Sequence, residues 1–157
     1  MGDKLLSKRT AYHYLTRKLL AKQLRTLKNL AALKQHFPKA KRLLNGPDLV
    51  GYKIGRWVVK DPGECYAVMD LKDAKRLAPK VGIQIIPMWW VHGLESDYGN
   101  RYRWCLQVIA RRPKTSKERR QIQRTAYLAD HDVTLLGHDF AARNLGFYRN
   151  KLVAFDW

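Results

Sequence analysis

Gly137-His138-Asp139-Phe140-Ala141-Ala142-Arg143-Asn144, then eleven residues, then Asp156-Trp157, is the stretch on which the reading of this chain turns. Its polar members Asp139, Asn144 and Asp156 are set at fixed distances among small and apolar residues. Between Asn144 and Asp156 stand two short apolar runs, 145–148 and 152–155, which flank Arg149-Asn150 and the following Lys151. A short polar break between apolar runs, with Arg149-Asn150 at the turn, is the pattern of a hairpin, so the stretch reads as a loop feeding two short strands.

Upstream, Thr115-x-x-Glu118 is a capping box that predicts a helix to about residue 129, and 133–136 reads as a further very short strand. Two β-rich runs precede it, 82–92 and 101–110. The polar linker Glu95-Ser96-Asp97-Tyr98-Gly99-Asn100 between them suits an antiparallel hairpin. Further back, Asp61-Pro62-Gly63-Glu64 combines an N-cap acid, a proline at the first helical position and a capping-box Glu, predicting a helix to about 77. Residues 49–52 and 56–60 read as strands. Strands and helices in this order predict an α+β fold.

The N-terminal part has a different texture. Between Lys4 and Pro47 there are twelve Lys and Arg residues and no acid. Tyr12, Leu15, Leu19 or Leu20, Leu24, Leu27 and Ala31 recur at helical spacing, and Pro38 ends the pattern. Residues 1–43 therefore read as a basic amphipathic helical extension, long or once broken, and 44–157 as the folded domain. The apolar stripe could dock on that domain with its charges solvated, or the basic face could bind nucleic acid or a membrane surface.

Composition bounds the rest. At 157 residues the chain has room for one domain of ordinary size. With 46% hydrophobic residues and 11% aromatics it has the material for a core. Lys and Arg number 31 against 13 Asp and Glu, a net charge of +18, which predicts an anionic partner without choosing among nucleic acid, nucleotides and acidic proteins. No apolar run is long enough for a membrane span and no signal peptide is recognisable, which predicts a cytoplasmic protein. Cys65 and Cys105 lack paired-ligand spacing, so the expectation is reduced thiols and no zinc site.

The loop 137–144 resembles the protein-kinase catalytic loop H-R-D-L-x-x-x-N, followed by the hairpin and the metal-binding Asp of D-F-G. Asp139 to Asn144 is five steps, and Asp139-Phe140-Ala141-Ala142-Arg143-Asn144 matches the D-L-A-A-R-N form of the motif at five of six positions. The resemblance implies a reduced protein-kinase-like fold, with a small antiparallel-sheet lobe over 44–112 and a truncated helical lobe over 113–157. It implies ATP and magnesium as cofactors, Asp139 as catalytic base, and Asn144 and Asp156 as magnesium ligands. Val58-Val59-Lys60 resembles the V-A-I-K strand, making Lys60 the contact to the α- and β-phosphates. The helix after Asp61 takes the place of the C helix, in which Asp70 or Asp73 would pair with Lys60. Gly46 and Gly51 are similar to the first and third glycines of the phosphate loop, with Asp48 between them. Arg143 could supply the cation that Lys gives many Ser/Thr kinases, and Gly137-His138 stands where H-R normally does. The compact size resembles the early-gene protein kinases of short-tailed lytic bacteriophages. That likeness implies host RNA polymerase or translation factors as substrates, within a host cytoplasm.

Two other readings stay open. The H-D pairs His131-Asp132 and His138-Asp139 also occur in metal-dependent phosphohydrolases, an all-helical family that needs a distant downstream Asp. A catalytically inactive kinase-like protein, or a basic protein binding nucleic acid or a host protein by phosphate neutralisation and base stacking, would equally use the charge and the aromatics.

Overall fold

The computed structural model describes residues 15–45, 48–60, 67–95, 101–135 and 137–155. In chain order the elements are helices α1 (Arg17–Leu24) and α2 (Leu30–His36), strands β1 (Lys41–Asn45), β2 (Asp48–Ile54) and β3 (Trp57–Lys60), and helix α3 (Ala67–Leu77). Strands β4 (Gln84–Ile85), β5 (Met88–Glu95) and β6 (Arg101–Val108) follow, then helix α4 (Ser116–Asp130) and strands β7 (Leu145–Tyr148) and β8 (Lys151–Ala154). The protein is α+β, as its sequence predicts.

The chain forms two compact units, one from Met1–Gly63 with Met88–Val108, the other from Glu64–Pro87 with Ile109–Trp157. In the first, an antiparallel sheet runs in the order β1-β2-β3-β6-β5. Alternation along the strands turns Tyr52, Ile54, Val59, Val91, Trp104 and Leu106 to one face. There they meet Leu15, Leu20, Leu24, Leu27, Leu33 and Phe37 of the arm. From residue 15 on, the basic arm is thus a packed layer, and among its described residues the helix is broken between α1 and α2. Thr16 caps α1 by accepting from the Leu19 N–H at 3.2 Å, and Asn29 restarts the helix as α2 by accepting from Ala32 N–H at 2.8 Å. The break shifts the helical phase. Leu20, not Leu19, is buried, and Leu33 and Phe37 replace Ala31 on the inner face. Two indoles close the open carbonyls beside α1, Trp57 Nε1 donating to Leu15 at 2.7 Å and Trp104 Nε1 to Leu27 at 3.2 Å. Strand β1 begins at Lys41, inside the span that sequence periodicity gives to the helical extension, because Pro38 ends the helix and Lys41 and Arg42 pair with Lys53 and Tyr52.

The second unit has its own core. Ala74, Leu77 and Ala78 meet Ile122 and Ala129 of α4, Leu135, Phe140, and Leu145, Phe147 and Leu152 of the terminal hairpin. Residues 82–92, read as one strand from sequence, are two. Pro87 interrupts the ladder, β4 pairs in parallel with β8, and β5 pairs with β6. Residues 67–87, which the sequence reading places with the N-terminal lobe, group with the C-terminal part for the same reason. Residues 133–136 are also corrected, since Val133–Leu135 is a 3-10 turn held by Asp132, whose carboxylate accepts the Thr134 N–H at 2.9 Å. The hairpin turn is as predicted. Arg149 and Asn150 have φ of 49° and 62°, the doubly left-handed pair that a two-residue turn between twisted strands needs. The capping box holds too, with Thr115 Oγ1 accepting the Glu118 N–H at 3.1 Å. No helix among the described residues is long and apolar enough to cross a membrane. Cys105 is buried, its Sγ 4.0 Å from the Met88 Sδ, and Cys65 lies outside the described residues.

Candidate functional site

The loop 137–144 is built inward from two anchors. Gly137 opens it at φ +94°, a region L side chains rarely adopt, and nothing lies within 4 Å of where its Cβ would be, so backbone geometry and not packing demands the glycine. Phe140 then inserts into the core of the second unit at 3% exposure, while Asp139 beside it stays half-exposed. Asn144 is the other anchor, buried to 3%. Its Nδ2 donates to the Asp139 carbonyl at 2.9 Å, which closes the five-residue interval into a ring. Its own carbonyl accepts the Phe155 N–H at 3.0 Å, so the end of β8 is fastened beside the loop.

Asp139 has both carboxylate oxygens engaged. Oδ1 accepts the Ala141 N–H at 3.3 Å and Oδ2 pairs with the Arg143 guanidinium four residues on. A carboxylate offers about four lone-pair sites, so two contacts orient it and leave capacity for an incoming hydroxyl. Asp139 also borders a cleft of about 310 Å³ shared with Tyr127, Asp130 and His138.

The segment leading into α4 is fixed by one ion pair. Arg111 grips Glu118 with both guanidinium nitrogens, at 3.0 and 2.7 Å, and the Lys114 N–H adds a third bond to that carboxylate at 2.7 Å. These bonds, Arg111 first and the Lys114 amide next, hold the Glu118 carboxyl down at about 2. Residue 111 in turn bridges Phe147, and Gly146 permits it, since a Cβ there would stand 2.8 Å from the Arg111 carbonyl.

In the first unit the structure brings Gly51 and Lys60 together. Gly51 lies within strand β2, and a Cβ on it would stand 2.9 Å from the Val59 carbonyl and 3.3 Å from Lys60 Cγ, so only glycine lets β2 lie over the stem of Lys60. Lys60 ends β3, half-buried and in register with Cys105. Gly46 and Asp156 lie outside the described residues, as does the Asp70 side chain. Asp73, the other candidate partner of Lys60, is exposed and pairs with Arg76 at 3.3 Å. Of the H-D pairs, His131 Nδ1 is 2.9 Å from the Tyr127 carbonyl, and Asp132 is committed to Thr134, whose hydroxyl and amide hold its carboxyl below the ordinary range. Among the described residues no group of three His, Cys, Asp or Glu side chains is placed to hold a metal.

Sequence reasoning missed two residues beside the loop, Arg112 and Arg119. Arg112 Nη1 donates to the Arg143 carbonyl at 2.9 Å, a tie across 31 positions that no local pattern signals. The chain matches no family model, no curated protein and no solved structure.

Proposed function

We propose that the chain is a reduced protein-kinase-like enzyme that transfers the γ-phosphoryl group of ATP to protein hydroxyls with magnesium. The observation that carries this reading is the closed ring from Asp139 to Asn144 with the Phe155 amide bound to Asn144. It sets an exposed carboxylate, a buried amide and the backbone preceding Asp156 at one place. The succession of β3 ending in Lys60, a helix, the short β4, the antiparallel pair β5 and β6, a helix, a loop and a hairpin gives further support, being, apart from β4, the order that the resemblance implies.

In this reading Asp139 receives the proton of the acceptor hydroxyl, oriented by the Ala141 amide and Arg143. Arg143, on the same carboxylate, places a cation where charge develops on the phosphoryl oxygens. Asn144 and Asp156 would hold magnesium, which when bound neutralises the phosphate charge. The amide nitrogen of Asn144 is committed to the Asp139 carbonyl, so the oxygen is the atom on the opposite side of the group, the donor type such an ion selects. Lys60 binds the nucleotide phosphates. Incubation of the purified chain with labelled ATP, magnesium and an acceptor protein tests the reading. Label should enter the acceptor, and Asp156→Ala should abolish magnesium-dependent ATP binding. ATP and magnesium bound equally by parent and variant would remove the assignment.

A second reading, nucleic-acid binding by the first unit, is favoured by one observation. Arg17, Lys18, Lys22 and Arg25 of α1 and its C-cap line a pocket of about 650 Å³ against Trp89, with the Arg17 guanidinium 4.4 Å from the indole centroid.

A further inference from the structure

Beside Arg143, within the second unit, lies a pocket of about 430 Å³ whose chemistry differs from that of the Asp139 cleft. Its floor is apolar, from Pro113, Ile122 and Leu145, and its rim carries Arg112, Arg119 and Arg143. Among the described residues that line it there is no carboxylate. Each arginine is positioned by a different element. Arg112 is held by its bond to the Arg143 carbonyl and by its place 5.1 Å from the Phe155 ring centroid. Arg119 projects from the first turns of α4, one turn before Ile122 and Gln123 on the same helix face. Arg143 comes from the catalytic-loop-like segment and reaches Asp139 on its other side.

We propose that this pocket receives an anionic side chain of the protein substrate, a carboxylate or a phosphorylated hydroxyl, close in sequence to the acceptor residue. The inference rests on the kinase reading for the identity of the substrate and on the arginine geometry for the anion. Guanidinium forks match planar carboxylate and phosphate oxygens, and three of them around one apolar floor bring several charge-assisted donors to a single anion. Arg143 touches both sites, so an acceptor hydroxyl at Asp139 and an anion in the pocket belong to residues separated by roughly one to three positions of extended chain at ~3.3 Å each. A substrate with acidic residues there is also steered by the +18 charge, which repels basic competitors.

The test uses the full chain without nucleotide and fluorescein-labelled peptides that carry Ser and Tyr acceptors flanked by Asp, by phosphoserine or by Asn. At fixed ionic strength the Asp or phosphoserine peptide should bind about tenfold more tightly than the Asn peptide, and the tighter of the two names the anion. Arg119→Gln should remove most of that preference and leave the Asn peptide unaffected. Arg119→Glu should reverse it toward a Lys-flanked peptide. Lys151→Gln, an exposed change of equal charge, should do nothing. With ATP and magnesium added, Arg119→Gln should raise KM for the anionic peptide about tenfold at constant kcat. Equal losses in Arg119→Gln and Lys151→Gln would assign the preference to overall charge, and no loss in Arg119→Gln would empty the pocket of its role. Displacement of the peptide by single-stranded oligonucleotide, with the same dependence on Arg119, would make nucleic acid the occupant. Peptide preference without phosphate transfer would overturn the kinase reading alone.

Discussion

Both units gather cations on a pocket rim, but the second also sets several of its own on carboxylates. In the first, the cations of α1 crowd one pocket rim, and the contact that Arg17 makes is with the face of Trp89. In the second, Arg111 meets Glu118, Arg143 meets Asp139 and Arg76 meets Asp73. A field of cations attracts any anion and fades with salt, whereas a guanidinium set on a carboxylate fixes a backbone or an oxygen in place. The first arrangement suits capture and the second suits chemistry. Their glycines differ in the same sense. Gly51 is required because another strand lies too close, Gly137 because the backbone turns through a left-handed region.

The sharpest way to break this contrast is at Asp139. If the chain transfers phosphate as proposed, Asp139→Asn should keep ATP affinity and lower that transfer by ~10²-fold or more, since only the receiver of the acceptor's proton would be lost. Lys60→Ala in the other unit should weaken nucleotide binding and transfer together. Calorimetric ATP titration beside a transfer assay reads both, and equal transfer by parent and Asp139→Asn would leave the second unit without a catalytic role.

Next in size come the glycines. Gly51→Ala forces a methyl against the Val59 carbonyl and should cost about 2 kcal/mol, because backbone cannot yield as a flexible side chain can. Gly137→Ala meets no neighbour and should cost about 1 kcal/mol, from φ alone. Urea unfolding of both variants gives the two values, and a larger loss at 137 would reverse the distinction.

Acid should then expose the paired charge of the second unit. The folded Glu118 carboxyl titrates at about 2 against an ordinary 4.5. A depressed folded value means stabilisation that is complete above the unfolded value and is lost as pH falls toward the folded one. The urea midpoint of the parent should decline between about pH 4.5 and 2, and Glu118→Gln should start lower and vary less across that window. Parallel curves would show that the Arg111 pair contributes nothing.

The smallest effect concerns the first unit. If its rim binds single-stranded nucleic acid, Arg17→Gln should reduce the slope of log affinity against log salt by about 0.7, the release expected from one phosphate contact. An unchanged slope would leave the four cations as solvated charges.

Local chemistry made several elements legible in advance. Thr115 with Glu118, and Arg149 with Asn150, act through bonds and dihedrals spanning a few residues, so their residue types announce a helix start and a hairpin turn. The spacing from Asp139 to Asn144 was visible for the same reason, because the ring that the Asn144 amide closes on the Asp139 carbonyl is five residues around. Periodicity found the arm's apolar stripe but not the phase change across residues 25–29, where Asn29 restarts the helix and exchanges Ala31 for Leu33 and Phe37.

What only the tertiary structure decided depends on partners distant in sequence. Strand β4 exists because β8, far along the chain, offers it a parallel edge after Pro87 has cut it from β5. The arm became a layer of the core because the sheet face of Tyr52, Trp104 and Leu106 needed covering, and amphipathic spacing alone cannot say what an apolar stripe will meet. Arg112, Arg119 and Arg143 share a pocket because a loop, a helix and a turn converge there, and nothing in a one-dimensional pattern carries that convergence. Sequence determines what a residue can do within about one turn of chain; packing decides which residues do it together.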